Sequence, residues 1–137
     1  MKYLLDTNTC IDILRNDEAV LSVFYTKLNE GIAISTIVLA ELEYGVCNST
    51  AYEKNRETLV SFLSLVELLP FDGSAAIVYG GIRADLKRKN NLIGQMDMLI
   101  AAHAKSSGLT IVTNNMRDFE RVVGLESEDW SAANSKS

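Results

Sequence analysis

Three short apolar runs set the plan of this chain. Tyr3-Leu4-Leu5, Ile32-Ala33-Ile34 and Leu109 to Thr113 each give way to polar residues and then to a segment that is not strand-like. Runs of this length, bounded in this way, read as buried strands. A fourth run, Glu67-Leu68-Leu69, ends at Pro70. Strands that alternate with helices build a three-layer α/β/α domain around a mainly parallel sheet. Such sheets bind ligands at their carboxyl edge. The first run stops at a carboxylate, Asp6, which makes it important whether other acids reach the same edge.

The intervening helices follow from capping residues and apolar spacing. Asn8 to Asn16 is one, with Asn8 or Thr9 as its cap. Asp17 caps a second, which runs to about Glu30 and stops at Gly31. Ser35-Thr36 caps a helix from Ile37 to about Cys47. Thr50-Ala51-Tyr52-Glu53 has capping-box spacing and opens a helix to about Leu65. Asp72 caps a long helix whose end, Lys87-Arg88-Lys89, suits the negative pole of the helix dipole. Asn90 to Gln95 is loop, and Met96 to Ser107 is a helix ended by Gly108. Asn114 to Arg121 is a turn with a short helix, and Val122-Val123 is a last short strand. Residues 1–130 form one domain, and 131–137 are small, polar and expected to fray.

At 137 residues and 47% hydrophobic, the chain is long enough for one domain with a real core. Its apolar runs fall far short of a membrane span, and no basic stretch precedes an apolar one as in a signal peptide. The expected location is cytoplasmic, with no membrane partner. Cys10 and Cys47 lack the spacing of a zinc site or a disulfide framework and read as small buried residues. A net charge of −5 argues against non-specific nucleic-acid binding. Local patches still decide how a charged ligand is steered.

Two further acids stand in apolar surroundings. Asp97 lies in the first turn of its helix among Met96, Met98, Leu99 and Ile100, and Glu41 lies within Val38-Leu39-Ala40-Glu41-Leu42. On local grounds Asp6 is equally a helix cap or a ligand, and Asp97 complements a helix dipole. A carboxylate inside an apolar segment is costly unless it is paired or bound to a metal. Glu41 falls about two turns beyond the Ser35 cap, within reach of the sheet edge. Carboxylates packed together raise one another's pKa unless a cation offsets them. Oxygen ligands without Cys or His suit Mg²⁺ or Mn²⁺.

Four segments carry a family resemblance: Leu5-Asp6-Thr7-Asn8; Ile34 to Gly45 with Glu41; Asp97 to Ala104; and Ile111-Val112-Thr113-Asn114-Asn115 with Arg117-Asp118-Phe119. In this order they resemble the motifs of PIN-domain ribonucleases, and more narrowly the VapC toxins of bacterial VapBC toxin–antitoxin pairs. The resemblance spans residue 2 to about residue 130. It implies a Mg²⁺-dependent endoribonuclease in which Mn²⁺ can substitute. By it, Asp6 and Asp97 are the principal metal ligands, and Glu41 completes the acidic site as a ligand or through water. Thr7, Asn8 and Thr113 would orient these acids. The family's fourth acid aligns with Asn115, and Asp118 follows three residues later, so one metal is expected in preference to two. The implied reaction is in-line attack of water on an RNA phosphodiester, leaving 5′-phosphate and 3′-hydroxyl ends. Members of this type cut structured RNA, several of them initiator tRNA in the anticodon loop. The implied partners are a VapB-type antitoxin, which supplies DNA recognition, and a second copy of the chain.

Several residues remain outside that scheme. Arg117 and Arg121 are candidate RNA contacts, ahead of the helix-end charges Lys87, Arg88 and Lys89. Tyr44 can stack a base, but half-buried core is the better reading. His103 reads as a packing residue, and Gly80-Gly81 as a site of close helix packing. Two rival functions stand beside the nuclease. A PIN-like module without catalysis would only dock a partner, and Asn115 is its supporting feature. Asp6-Thr7-Asn8-Thr9 also faintly resembles the DxDxT motif of haloacid-dehalogenase-type phosphatases, with an amide at the second acid.

Overall fold

A computed structural model describes residues 1–131. In chain order the elements are β1 (Tyr3–Leu5), α1 (Thr7–Leu14), α2 (Glu18–Lys27) with a 3₁₀ turn (Leu28–Glu30), β2 (Ile32–Ser35) and α3 (Thr36–Cys47). Next come α4 (Tyr52–Leu63), β3 (Glu67–Leu69), α5 (Gly73–Arg88), α6 (Gln95–Ser107), β4 (Thr110–Val112), α7 (Met116–Phe119) and β5 (Ser127–Glu128). The strands lie in the order β3-β2-β1-β4-β5, and every pairing is parallel. Right-handed crossovers put α1 to α4 on one face and α5 and α6 on the other, which is the expected three-layer architecture.

Strand burial explains why the apolar runs are so short. Tyr3, Leu4, Leu5, Ala33, Ile34, Ile111 and Val112 are all fully buried. A strand covered on both faces needs continuous apolar character, not alternation. β3 is one of the two edge strands, and Glu67 and Leu68 are exposed accordingly.

Gly31, Gly108 and Gly124 hold positive φ, and the first two close turns that position strands and helices around the site. Gly31 takes φ +90° in the turn into β2, and a Cβ there would stand 2.8 Å from Met1 Cα. Gly108 closes α6 in the left-handed conformation, where a residue without a Cβ carries no steric penalty.

Several local expectations need correction. Asp6, not Asn8 or Thr9, caps α1: its side chain accepts from Thr9 N–H at 2.8 Å. The residue before α4 is Ala51, with no side-chain cap, so the Thr50 capping box does not form. Val122 and Val123 lie in a turn. The last strand is Ser127–Glu128, held to β4 by Ile111 N–H to Glu126 O and Thr113 N–H to Glu128 O, each 2.9 Å. Val122 is buried by packing, which an apolar pair in sequence does not distinguish from a strand. Cys10 is buried as expected, but Cys47, in the last turn of α3, is exposed. Apart from Ser131, the expected tail lies outside the described residues. No helix among them is long and apolar enough to cross a membrane.

Candidate active site

The strand order reverses direction between β1 and β4. The chain winds outward from β1 to β3, then returns to β4 on the other side of β1. Crevices form at the carboxyl ends of strands at such a switch point. Register places the residues that reach it: Leu5 pairs with Val112, and Ser35 closes β2 on the other side of β1. Asp6 and Thr113 therefore follow neighbouring strands into the same crevice, and Asp6 N–H donates to Val112 O at 3.0 Å.

A cleft of about 590 Å³ opens here, lined by Asp6, Thr7, Asn8, Ile11, Ala40, Glu41, Tyr44, Gly45, Met96 and Asp97. The fold thus brings together the three acids picked out in the sequence. Asp6 comes from the end of β1, Glu41 from the second turn of α3 and Asp97 from the first turn of α6.

Each acid has a fixed setting. Asp6 is 3% exposed. Burial pushes its carboxyl above the ordinary carboxylate range, against hydrogen bonds from Thr113 and Thr9 that favour the ionised form. Glu41 accepts from the Thr7 hydroxyl through Oε1. The Asp97 carboxyl is raised by burial first, then by the charges of Asp6, Asp118 and Glu41. A side-chain hydrogen bond from Asn115 opposes that rise. Asn115 also donates its amide to Asp118 Oδ2 at 2.9 Å, and its own N–H donates to Thr113 Oγ1 at 2.9 Å. An amide thus stands between two carboxylates. Asn8 is exposed on the cleft wall.

None of the ion pairs among the described residues involves Asp6, Glu41 or Asp97. Among the described residues, no lysine or arginine lines the cleft. Oxygen donors with no cationic partner fit a hard divalent cation. Among the described residues, no three His, Cys, Asp or Glu side chains are grouped to hold one ion. Carboxylate oxygens without Cys or His are the donor type Mg²⁺ takes, one or two at a time with several waters kept.

The basic candidates lie elsewhere. Arg121 is 3.7 Å from Asp118 and donates to Leu92 O at 3.2 Å. Arg117 is exposed on α7, and neither arginine lines the cleft. Lys87 is exposed at the end of α5, while Arg88 and Lys89 pair with Asp85. Tyr44 overturns its expected burial: it is 69% exposed at the cleft.

His103 is buried, as a packing residue should be. Its Nδ1 also lies 2.8 Å from Ser35 Oγ, which accepts from Ile37 N–H at the start of α3. That link, between the helix of Asp97 and the helix of Glu41, has no local signal, because the two residues are 68 apart in sequence.

A PIN-domain family model matches residues 3–125. The curated relatives include the tRNA(fMet)-specific endonuclease VapC of Salmonella typhimurium, 44% identical over 130 residues, covering 95% of this chain and 98% of that protein. Two solved complexes share the fold. VapBC2 from Rickettsia felis, bound to a fragment of its promoter DNA, superposes with a TM-score of 0.91 at 38% identity and covers 96% of this chain and 100% of that one. DNA-bound VapBC from Salmonella typhimurium gives 0.89 at 45% identity, covering 95% and 98%.

Proposed function

We propose, from the premise that this chain belongs to the PIN-domain family, that it is the toxin of a toxin–antitoxin pair and a Mg²⁺-dependent endoribonuclease. The observation that carries the reading is the convergence of Asp6, Glu41 and Asp97 on one cleft without a cationic partner among the described residues. Asp6 and Asp97 would hold the ion, with Glu41 acting through water. When bound, Mg²⁺ supplies neutralisation of charge on the phosphoryl oxygens and a lowered pKa for water, and Mn²⁺ would substitute.

The chain's own residues orient the acids. Thr9 and Thr113 hold Asp6 against the cost of its burial. Thr7 fixes Glu41, and Asn115 steadies Asp97 and Asp118. Asn115 brings no charge to the fourth position, which supports a single metal.

The substrate class proposed is structured RNA, with initiator tRNA first, after the name of the Salmonella relative. The proposed partner is a VapB-type antitoxin, after the VapBC complexes, and DNA recognition is assigned to that partner. A homodimer and a cytoplasmic location complete the reading. The family match displaces the phosphatase resemblance.

The test is incubation of the purified chain with initiator tRNA and Mg²⁺, with end mapping of the products. EDTA and the Asp6→Asn and Asp97→Asn variants serve as controls. Cleavage lost in all three controls is expected. Cleavage that survives both substitutions would assign the activity to a contaminant. A chain that binds its antitoxin but cuts no RNA with either metal would be a docking module instead.

A further inference from the structure

Among the described residues, Tyr44 is the one aromatic side chain on the wall of the acidic cleft. It is 69% exposed, and among the described residues its ring takes no aromatic or cation partner and its hydroxyl no hydrogen bond. Tyr52, also exposed, is by contrast engaged by the Arg56 guanidinium, 5.4 Å from its ring centroid. Tyr44 therefore presents bare aromatic surface beside three carboxylates.

Its position matches the dimensions of a nucleotide. Tyr44 lies three residues after Glu41 on α3, and residues so spaced on a helix have Cβ atoms about 5–6 Å apart. A base attached to a phosphate held at the acids reaches one helical turn along that wall. Space is open there: Gly45 carries no side chain, and a Cβ built on it would meet nothing within 4 Å. Met96, 39% exposed, lines the same cleft with a polarisable thioether.

Electrostatics narrow the occupant. Among the described residues no lysine or arginine stands on the cleft wall, so phosphate neutralisation there is left to the proposed cation and no basic side chain adds to it. The available contact for an RNA strand is the π-face of a base, and only an unpaired base exposes that face. We infer that Tyr44 is the stacking platform for an unpaired nucleobase flanking the scissile phosphate, so that it selects single-stranded loops over paired stems.

This inference rests on the ribonuclease reading of the cleft, but it is tested by binding alone. In the full-length Asp6→Asn chain with Mg²⁺, affinity is measured for a labelled RNA hairpin with an unpaired loop and for a blunt duplex of its stem. The parent variant is expected to prefer the hairpin. Tyr44→Ala should weaken hairpin binding about tenfold, in the range found for loss of one base–aromatic stack, and leave duplex binding unchanged. Tyr44→Phe should keep the affinity, and Tyr44→Trp should keep it with indole fluorescence quenched by the hairpin. Tyr44 is exposed, so its substitution leaves the core intact, and unchanged melting temperatures would exclude loss of folding as the cause of any change.

The inference is overturned if the parent does not bind the hairpin, if Tyr44→Ala binds within twofold of it, or if Tyr44→Phe loses as much as Tyr44→Ala. An antitoxin-docking role for the ring would give the second of these results. Failure of the ribonuclease reading shows separately, as absence of Mg²⁺-dependent cleavage by the unsubstituted chain.

Discussion

Asp97 makes the proposed metal site testable through stability as well as activity. Its carboxyl is raised by burial and by the charges of Asp6, Asp118 and Glu41. A folded pKa above the unfolded one contributes stability that is present below the unfolded pKa and lost as pH rises through the folded pKa. At neutral pH, ionised Asp97 is therefore a liability to the metal-free fold, and Asp97→Asn should melt above the unsubstituted chain without metal. Added Mg²⁺ should reverse the order. A ligand at about ten times its Kd stabilises by RT ln 11, about 1.4 kcal/mol. For a chain of 137 residues, an unfolding entropy of about 2.1 cal/mol/K per residue gives about 0.29 kcal/mol per kelvin. The expected rise in Tm is then about 5 °C for the unsubstituted chain and under about 1 °C for Asp97→Asn. Differential scanning fluorimetry against a Mg²⁺ series reads both effects. Equal Mg²⁺ shifts in the two proteins, or a metal-free Asp97→Asn that melts lower, would refute the reasoning.

Asp6→Asn and Asp6→Ala should both abolish cleavage, but only the alanine should cost stability, about 1 kcal/mol by chemical denaturation, because Asn caps a helix as well as Asp does. Gly31→Ala should cost about 1–3 kcal/mol by the same measurement, since φ +90° and the close approach of Met1 both resist a Cβ. His103 is buried, and desolvation lowers its pKa, so its neutral form is the folded one. Its contribution to stability should be complete above pH 6.5 and should decline as pH falls from there toward the lowered folded pKa. Denaturation across pH 5–7.5 should show that decline, and His103→Leu should remove it.

The sheet was legible because a strand covered on both faces leaves an unbroken apolar run, and Tyr3–Leu5, Ile32–Ile34 and Thr110–Val112 all read that way. β5 was not. Ser127 and Glu128 are an intermediate-exposure edge pair whose membership of the sheet comes from backbone bonds to β4, not from side-chain character. Tyr44 was misplaced for a related reason. α3 is apolar around much of its circumference, and such a pattern does not say which side faces the cleft. Only the packing of α3 against the sheet and its neighbouring helices leaves Val38 and Leu42 inside and Tyr44 out. The Ser35–His103 link depends on a distant pairing of the same kind.

The acids were legible one at a time, but their meaning was not. Taken locally, Asp6 is a cap, and the structure shows that it is one. Asp97 sits where a first-turn acid complements a helix dipole. Neither local role explains why both carboxyls are raised, because a cap bond and a dipole each favour the ionised form. The rise comes from burial first and then from neighbouring carboxylates, which at Asp97 are Asp6, Asp118 and Glu41, all on other elements that the strand order brings to this edge. Capping and dipole interactions therefore supply part of the compensation these acids need. What they leave uncompensated is the electrostatic case for a bound cation.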